Sequence, residues 1–348
     1  MLIIDGSMGE GGGQIVRTSV AMSAVTQEPV KITNIRTNRP NPGLSAQHFS
    51  AIDSVARLCS AEVGGLSIGS REIEFKPGSI EHGKLNIDVG TAGSVTMVLQ
   101  ALMIPAMHVK GEIVINIRGG TDVRWSPPVD YLRFVTLPIL KKFGYSGEIE
   151  LLKRGFYPKG GGKINVKISG VGKLDKIDLN ERGSIKGVFG ISHAHASLKK
   201  AEVAKRQLKT ARPMIFNEIS KLITQKSGLN ADMDFINIKQ EYSDTLSYGS
   251  GITLWAEFEN TVIGSDSLGD KGKRAEIVGH EAAENLIKEI NSGACLDKHM
   301  ADQIIPYIAL SEGYAKVSEV TEHTRTNVEI VNKFGFNVKL EGNVIFGD

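Results

Sequence analysis

Near the C-terminus, Glu322-His323-Thr324-Arg325-Thr326-Asn327 joins a strand-like run to a short helical one. Thr326 and Glu329 have the spacing of a capping box and Gly335 is a stop signal, so the spacing predicts a helix opening at Thr326, with His323 three residues ahead of it. A histidine so placed lies near free backbone N–H groups and a positive dipole end. There it can attack a phosphorus atom while the anionic oxygens are held. A lone histidine at a strand end is more often structural, so the weight falls on what else the chain supplies.

Four segments supply it. Gly9-Glu10-Gly11-Gly12-Gly13-Gln14-Ile15-Val16-Arg17 is a glycine-rich turn entering a helix, with backbone N–H groups for an anion and Arg17 one turn inside. Glu10 would repel a phosphate unless a divalent cation, Mg²⁺ or Mn²⁺, stands between them, which makes it a candidate metal ligand; a surface glutamate on an ordinary turn is the alternative. Arg36 and Arg39 lie three apart on a loop stiffened by Pro40 and Pro42, a preorganised phosphate clamp or else a solvated loop. Gln47 and His48 follow in the first turn of the next helix and can face the same cavity. Gly90-Thr91-Ala92-Gly93-Ser94-Val95-Thr96 opens a helix carrying Gln100, whose amide can read a base edge or satisfy a buried backbone group. Finally, His299, Asp302 and Gln303 share a helix face opposite Met300, Ile304 and Ile308. A flat imidazole beside a carboxylate and an amide suits an adenine; an ordinary polar face is the alternative. Pro306 cannot donate to the carbonyl of Asp302, which leaves that carbonyl for another donor.

Two further features point elsewhere. His193-Ala194-His195 puts two imidazoles on one strand face, but no cysteine or carboxylate nearby in the sequence completes a metal site. Lys199, Lys200, Lys205, Arg206, Lys209 and Arg212, with Glu202 opposing, make a basic helix that either follows an RNA backbone or is simply solvated.

Hydrophobic periodicity gives the elements that must position these residues. Strand 2–5, helix 12–26, strand 30–36, helix 44–61 and strands 66–75 and 84–88 come first. Helix 92–107, strand 111–118, helix 128–144 and strands 147–153 and 162–168 repeat that order. It returns as helix 298–312, strand 314–322, helix 327–334 and strands over 336–347. Between 184 and 294 lies a segment of the same content: strand 185–192, helix 197–222, strands near 233–240 and 250–263, and helix 274–291. The fold expected is α/β (α+β): three repeated units of two helices on a four-stranded sheet over 1–183 and 295–348, with a smaller α+β domain inserted at 184–294.

With 348 residues and 41% hydrophobic content, the chain can bury more than one core. Its net charge of +2 means that any polyanion site is local. Cys59 and Cys295 suggest neither a disulfide framework nor a zinc cluster, and read as buried thiols. No apolar run spans a bilayer, and Met1-Leu2-Ile3-Ile4-Asp5 enters directly into strand-like sequence, so a cytoplasmic protein without a signal peptide is expected.

Taken together, these segments resemble the RNA 3'-terminal phosphate cyclase family. The most specific match is Arg154-Gly155-Phe156-Tyr157-Pro158-Lys159-Gly160-Gly161-Gly162-Lys163-Ile164, which looks like that family's signature. GEGGGQ at 9–14, the loop at 36–48, GTAGS at 90–94 and ADQ at 301–303 match in order. The resemblance covers essentially the whole chain. It implies a fold related to the enolpyruvyl transferases, and an ATP-dependent enzyme that turns an RNA 3'-phosphate end into a 2',3'-cyclic phosphate through AMP carried on a histidine. By this resemblance His323, in a His-x-x-Thr segment with Thr326, is the nucleophile. Gln100 and His299, Met300, Ala301, Asp302 and Gln303 match ATP-contacting positions, and Pro127 falls where a proline packs on the adenine. Glu10 matches a metal-binding glutamate; Arg36, Arg39, Gln47 and His48 match positions around the phosphate and RNA end, with Arg17 beside them. His299 stands where members often have Tyr, a change that keeps stacking but loses the phenol. Two rivals remain: a non-catalytic relative acting in ribosome assembly, expected to lack the nucleophile, and an enolpyruvyl transferase acting on a small sugar or shikimate-type substrate.

Overall fold

The computed structural model describes residues 1–227 and 233–348. The first unit runs β1 (Leu2–Asp5), α1 (Gly13–Thr26), β2 (Val30–Thr33), α2 (Ala46–Leu58), β3 (Glu62–Gly64) and β4 (Ile73–Lys76). The second runs β5 (Gly83–Asp88), α3 (Val95–Ala106), β6 (Glu112–Gly119), a helical stretch over 129–141, β7 (Ser146–Lys153) and β8 (Gly162–Ser169). That stretch is α4 (Val129–Tyr131) and α5 (Leu137–Lys141), joined by a π-helical turn, Leu132–Thr136. The third unit begins with β9 (Ile177–Leu179) and resumes with α8 (Lys298–Gln303), α9 (Ile305–Ser311), β14 (Gly313–Lys316), α10 (Glu322–Lys333), β15 (Val338–Glu341) and β16 (Val344–Gly347). Between them lie β10 (Ile185–His195), α6 (Val203–Ser227), β11 (Ile236–Ser243), β12 (Ser250–Phe258), β13 (Val262–Leu268) and α7 (Ala275–Asn291).

Three sheets share one topology. In each, the strand order is first, second, fourth, third: β1-β2-β4-β3, β5-β6-β8-β7 and β9-β14-β16-β15. The first two strands pair in parallel, and the fourth is antiparallel to both neighbours. Parallel pairing requires a crossover, supplied by the first helix of each unit. Two unit boundaries therefore differ from those read off periodicity. Strand 83–88 opens the second unit instead of closing the first, because Leu85 pairs with Ile115 and Ile87 with Ile117. The third unit has a short opening strand, β9, ahead of the fourth sheet's residues; its three residues are too few to show a period.

The repeat buries helices from different units against one another. Helix α1 packs on α2, α3 and α10, and nearly all of its length from Gln14 to Ala24 is buried. Small residues all round it (Ser19, Ala21, Ser23, Ala24) allow that close approach. The fourth sheet, β11-β10-β12-β13, has its own core, in which Val278, Ala282, Leu286 and Ile290 of α7 meet Ala211, Ile215 and Ile219 of α6. No helix among the described residues is long and apolar enough to cross a membrane.

A buried ionic cluster joins this fourth sheet to the second unit. The Arg154 guanidinium reaches Asp122 Oδ1 at 3.2 Å, Asp130 Oδ2 at 2.6 Å and Glu241 Oε2 of β11 at 2.9 Å. His193 Nε2 lies 3.3 Å from Asp122 Oδ1, and its ring stacks on Phe156 at 5.7 Å. Sequence proximity was thus a poor guide to His193, since its carboxylate neighbours come from a distant turn. Asp122, Asp130 and His193 bring ligand-type atoms within 4.8 Å of one another, but the guanidinium already supplies the cation there. Nearby, Gly155, Gly160 and Gly162 are required by close approach: a Cβ would stand 2.2 Å from the Gly162 nitrogen, 2.8 Å from Ala92 Cα and 2.6 Å from Thr121 Cγ2, respectively.

Candidate active site

Helix α10 begins five residues earlier than its sequence suggested. Thr321 is the N-cap, in extended conformation, and its side chain accepts from the Thr324 N–H. Thr326 is inside the helix, donating to the Glu322 carbonyl at 2.8 Å. The Thr-x-x-Glu letters at 326–329 therefore do not form the cap. His323 is instead in the first turn, at the positive end of the helix dipole. Its carbonyl accepts from Gln14 Nε2 at 2.7 Å, tying it to the start of α1.

Three separate segments meet at its ring. Glu10 Oε2 lies 3.6 Å from His323 Nε2 and 3.2 Å from an Arg39 guanidinium nitrogen. All three side chains are partly exposed, so the cluster opens to solvent. A Cβ at Gly12 would stand 3.4 Å from Arg39 and 3.8 Å from His323, so the bare glycine backbone forms the floor of this space. Gly9 has φ +51° and abuts the Thr326 hydroxyl, which gives Thr326 its part: it fixes the turn that carries Glu10. Helix α1 starts at Gly13 with no side-chain cap and no acidic residue in its first turn. Its free N–H groups make a second positive helix end at the same place. The His323 imidazole is held below the ordinary histidine range, first by burial and then by Arg17 and Arg39, with Glu10 opposing. The shift favours the neutral imidazole, which keeps one ring nitrogen's lone pair available.

The other predicted phosphate positions line the adjoining wall. Arg36 uses one guanidinium nitrogen to hold the Gly43 carbonyl at 2.7 Å, so it braces its own loop as well as carrying charge. His48 is buried, and Nδ1 takes the Ser45 N–H in a capping box. Burial, then Arg17 and Arg36, press its pKa down to about 3. With Nδ1 accepting, Nε2 carries the hydrogen, 1.8 Å from where a Gly13 Cβ would be. His48 is thus a neutral N–H donor beside the glycine loop and not a proton acceptor. Gln47 Oε1 accepts from the Ser94 N–H at 3.1 Å, which docks the 90–94 loop against the same wall.

Beyond this lies a small cavity of about 50 Å³ lined by Gln14, Arg17, Gln100, Asp302, Gln303 and Asn327, among others. The Asp302 carbonyl freed by Pro306 is taken by Asn327 Nδ2 at 2.8 Å, while Asn327 Oδ1 accepts from Thr18 at 2.8 Å. Thr18 and Asn327, absent from the sequence candidates, therefore lock α1, α8 and α10 together. Burial raises the Asp302 carboxyl to about 7, with Arg17 opposing, and Arg17 itself falls to about 10. A folded-state pKa raised above the unfolded value, about 3.9, gives stability that is present at low pH and lost as pH rises through 7. Asp302→Asn removes that loss. Its thermal midpoint relative to the parent should rise between pH 6 and pH 8.5; an equal difference at both pH values would refute the assignment.

His299 has an exposed ring at the cleft edge, meeting Tyr131 edge-on at 6.4 Å. Surrounding protein lowers its pKa, and His323 adds to that effect, which puts the two rings in one electrostatic neighbourhood. Its backbone is set by Asp297, the N-cap of α8, which accepts from the His299 and Met300 N–H groups and from Tyr131. An Asp just before a helix start is a legible N-cap signal in the sequence, although Asp297 is not among the residues singled out there. Gln303 accepts from Thr136 and donates to the His299 carbonyl. The Pro127 carbonyl accepts from Thr96 at the start of α3. Met300 and Ala301 are 0% exposed, so their side chains belong to the core and not to the cleft.

A family model described as "RNA 3'-terminal phosphate cyclase" matches residues 8–341. The RNA 3'-terminal phosphate cyclase of Pyrococcus furiosus is 49% identical over 334 residues, 96% of this chain and 93% of that one. Those of Ignicoccus hospitalis and Archaeoglobus fulgidus are 48% and 43% identical, covering 96% and 99% of this chain and 92% and 99% of theirs. Among solved structures, the enolpyruvyl transferase NikO from Streptomyces tendae shares 9% identity at a TM-score of 0.26, over 100% of this chain and 65% of that one.

Proposed function

The chain belongs to the RNA 3'-terminal phosphate cyclase family, and on that footing we propose that it uses ATP to convert an RNA 3'-phosphate into a 2',3'-cyclic phosphodiester, with AMP carried on His323. It is an enzyme, as its curated relatives are. The observation that carries the reading is Glu10 standing between His323 and Arg39, 3.6 Å from the His323 ring and 3.2 Å from the Arg39 guanidinium, beside the N-termini of α1 and α10.

His323, neutral, attacks the α-phosphorus of ATP; the new N–P bond forms as the bond to pyrophosphate breaks. Arg39, Arg17 and the two helix ends hold the negative charge that develops, since phosphoryl transfer depends mainly on positioning and electrostatics. His299 offers a flat ring for the adenine, with Gln100 and Gln303 as polar contacts. An oxygen of the RNA 3'-phosphate then takes AMP from the histidine, giving a diphosphate-linked end. The neighbouring 2'-OH attacks the RNA phosphorus, loses its proton and expels AMP. Its intramolecular position is worth up to about 7–11 kcal/mol, so this step asks little of the protein. Because His48 is held as an N–H donor, its part is to bind phosphate oxygen and not to remove the 2'-OH proton.

Glu10 presents a half-exposed carboxylate with Arg39 on one side, which fits a divalent cation that takes its other ligands from phosphates and water. Such an ion, when bound, neutralises charge on the transferred group. Glu10→Ala should shift the Mn²⁺ titration of histidine adenylylation to at least about tenfold higher concentration; an unchanged titration would exclude Glu10 as a ligand. The function itself is tested with an RNA oligonucleotide ending in a 3'-phosphate. ATP-dependent appearance of a phosphatase-resistant, cyclic end is expected, and a 3'-phosphate that persists with ATP and metal present refutes it.

A further inference from the structure

The signature segment and the fourth sheet's loops carry a feature that nucleotidyl transfer to His323 does not use. Tyr157 and Tyr248 are 76% and 72% exposed, yet both stand on well-anchored turns. The turn at 156–160 closes through the Gly160 N–H to the Phe156 carbonyl at 2.8 Å. Phe156 is buried on His193, and a Cβ at Gly249 would stand 2.2 Å from its ring. The Lys159 N–H donates to Ser247 at 3.0 Å, joining the two turns directly. Tyr248 packs edge-on against His195 at 4.7 Å, and the His195 N–H donates to the Gly249 carbonyl. Two large aromatic rings are thus carried into solvent on anchored turns. That costs free energy unless something covers them.

A chain of packed contacts links these turns to the His323 site. Gly160 lies against the backbone of Thr91 and Ala92, in the loop 90–94. That loop's Ser94 N–H is held by Gln47, the neighbour of His48, and His48 abuts Gly13 of the loop that floors the His323 cluster. Lysines stand on the surface beyond, with the exposed carboxylates of Asp244 and Glu202 in the same segments. Lys159, Lys199 and Lys200 are exposed, with no ion pair among the described residues. Two exposed aromatic rings on linked turns, with unpaired lysines on the same segments, match what single-stranded nucleic acid needs: stacking for bases and charge for the backbone.

We infer that the RNA strand behind the reacting 3' end leaves the cleft past the 90–94 loop and stacks its bases on Tyr157 and Tyr248, with Lys159, Lys199 and Lys200 along its phosphates. This rests on the function proposed above. It identifies the preferred substrate as an unpaired 3' tail several nucleotides long, and it gives the inserted segment's 244–249 loop a part in holding that tail.

The test compares the parent with Tyr157→Ala, Tyr248→Ala and the double variant on two substrates: a dodecamer RNA 3'-phosphate and a nucleoside 3'-monophosphate. Adenylylation by ATP alone is measured in parallel and should be unchanged in all variants, since neither tyrosine touches the His323 cluster. For the dodecamer, KM should rise roughly tenfold per tyrosine with kcat nearly constant, and for the mononucleotide neither should change. Equal effects on both substrates, or none on either, would overturn the tail path; a protein-docking role for the tyrosines would give the second result. Failure of the parent to form any AMP adduct would refute the function itself, and is read separately.

Discussion

His323→Ala should abolish cyclisation, with a loss of at least about 10⁴-fold, while leaving the fold intact. Removing a covalent nucleophile takes away the step and not merely a contact. The fold should survive because the structural bond at this position is made by backbone: the 323 carbonyl accepts from Gln14, and alanine keeps it. The helix cap is likewise made by Thr321 and Thr324. His323→Asn, with an amide of similar polarity, should be equally inactive. Circular dichroism and thermal unfolding check the fold, and cyclisation of a 3'-phosphorylated oligonucleotide checks the rate. A variant that retains even a tenth of the parent's rate would show that the histidine only positions substrate.

Arg154→Met should lower stability by about 3–5 kcal/mol. The guanidinium is 2% exposed and its partners Asp122 and Asp130 are 0% exposed, so the variant leaves two carboxylates buried with their principal cation gone. Burial pushes Asp122 up, but His193 and Arg154 together hold it well below the usual carboxylate range. A depressed carboxylate contributes stability above its unfolded pKa and loses it as pH falls through the folded value. The parent's advantage over Arg154→Met should therefore be full at pH 7 and shrink in strong acid. Denaturant unfolding at both pH values measures this. Adding Asp130→Asn should recover part of the loss, since it removes one of the orphaned charges; a double variant no better than the single would contradict the account. The signature arginine thus acts on the joint between the second unit and the fourth sheet. The turn that follows it presents Tyr157.

What the sequence disclosed and what it hid have physical causes. Repeated alternation announced strands and helices, and the missing N–H of Pro306 announced a spare carbonyl, which Asn327 duly takes. Register was invisible: alternation says that 83–88 is a strand but not which strand it joins. The start of α10 was misplaced because its first turn, Glu322, His323 and Arg325, carries no apolar residue to set a helical period, while Thr326 and Glu329 offered the letters of a cap. His193 lacked partners because Asp122 and Asp130 lie more than sixty residues away in the chain and meet it only through the joint. The gathering of Glu10, Arg39 and His323 was legible as three candidate parts. That they share one space depends on α1 packing against α10, which no local pattern encodes.

The most direct test of the central claim is to incubate the protein with α-labelled ATP and divalent metal, without RNA, and to map the label by proteolysis and mass spectrometry. The account predicts one acid-labile AMP on the peptide containing His323, discharged when RNA with a 3'-phosphate is added. An adduct on any other residue, or full cyclisation with no adduct formed, would contradict it.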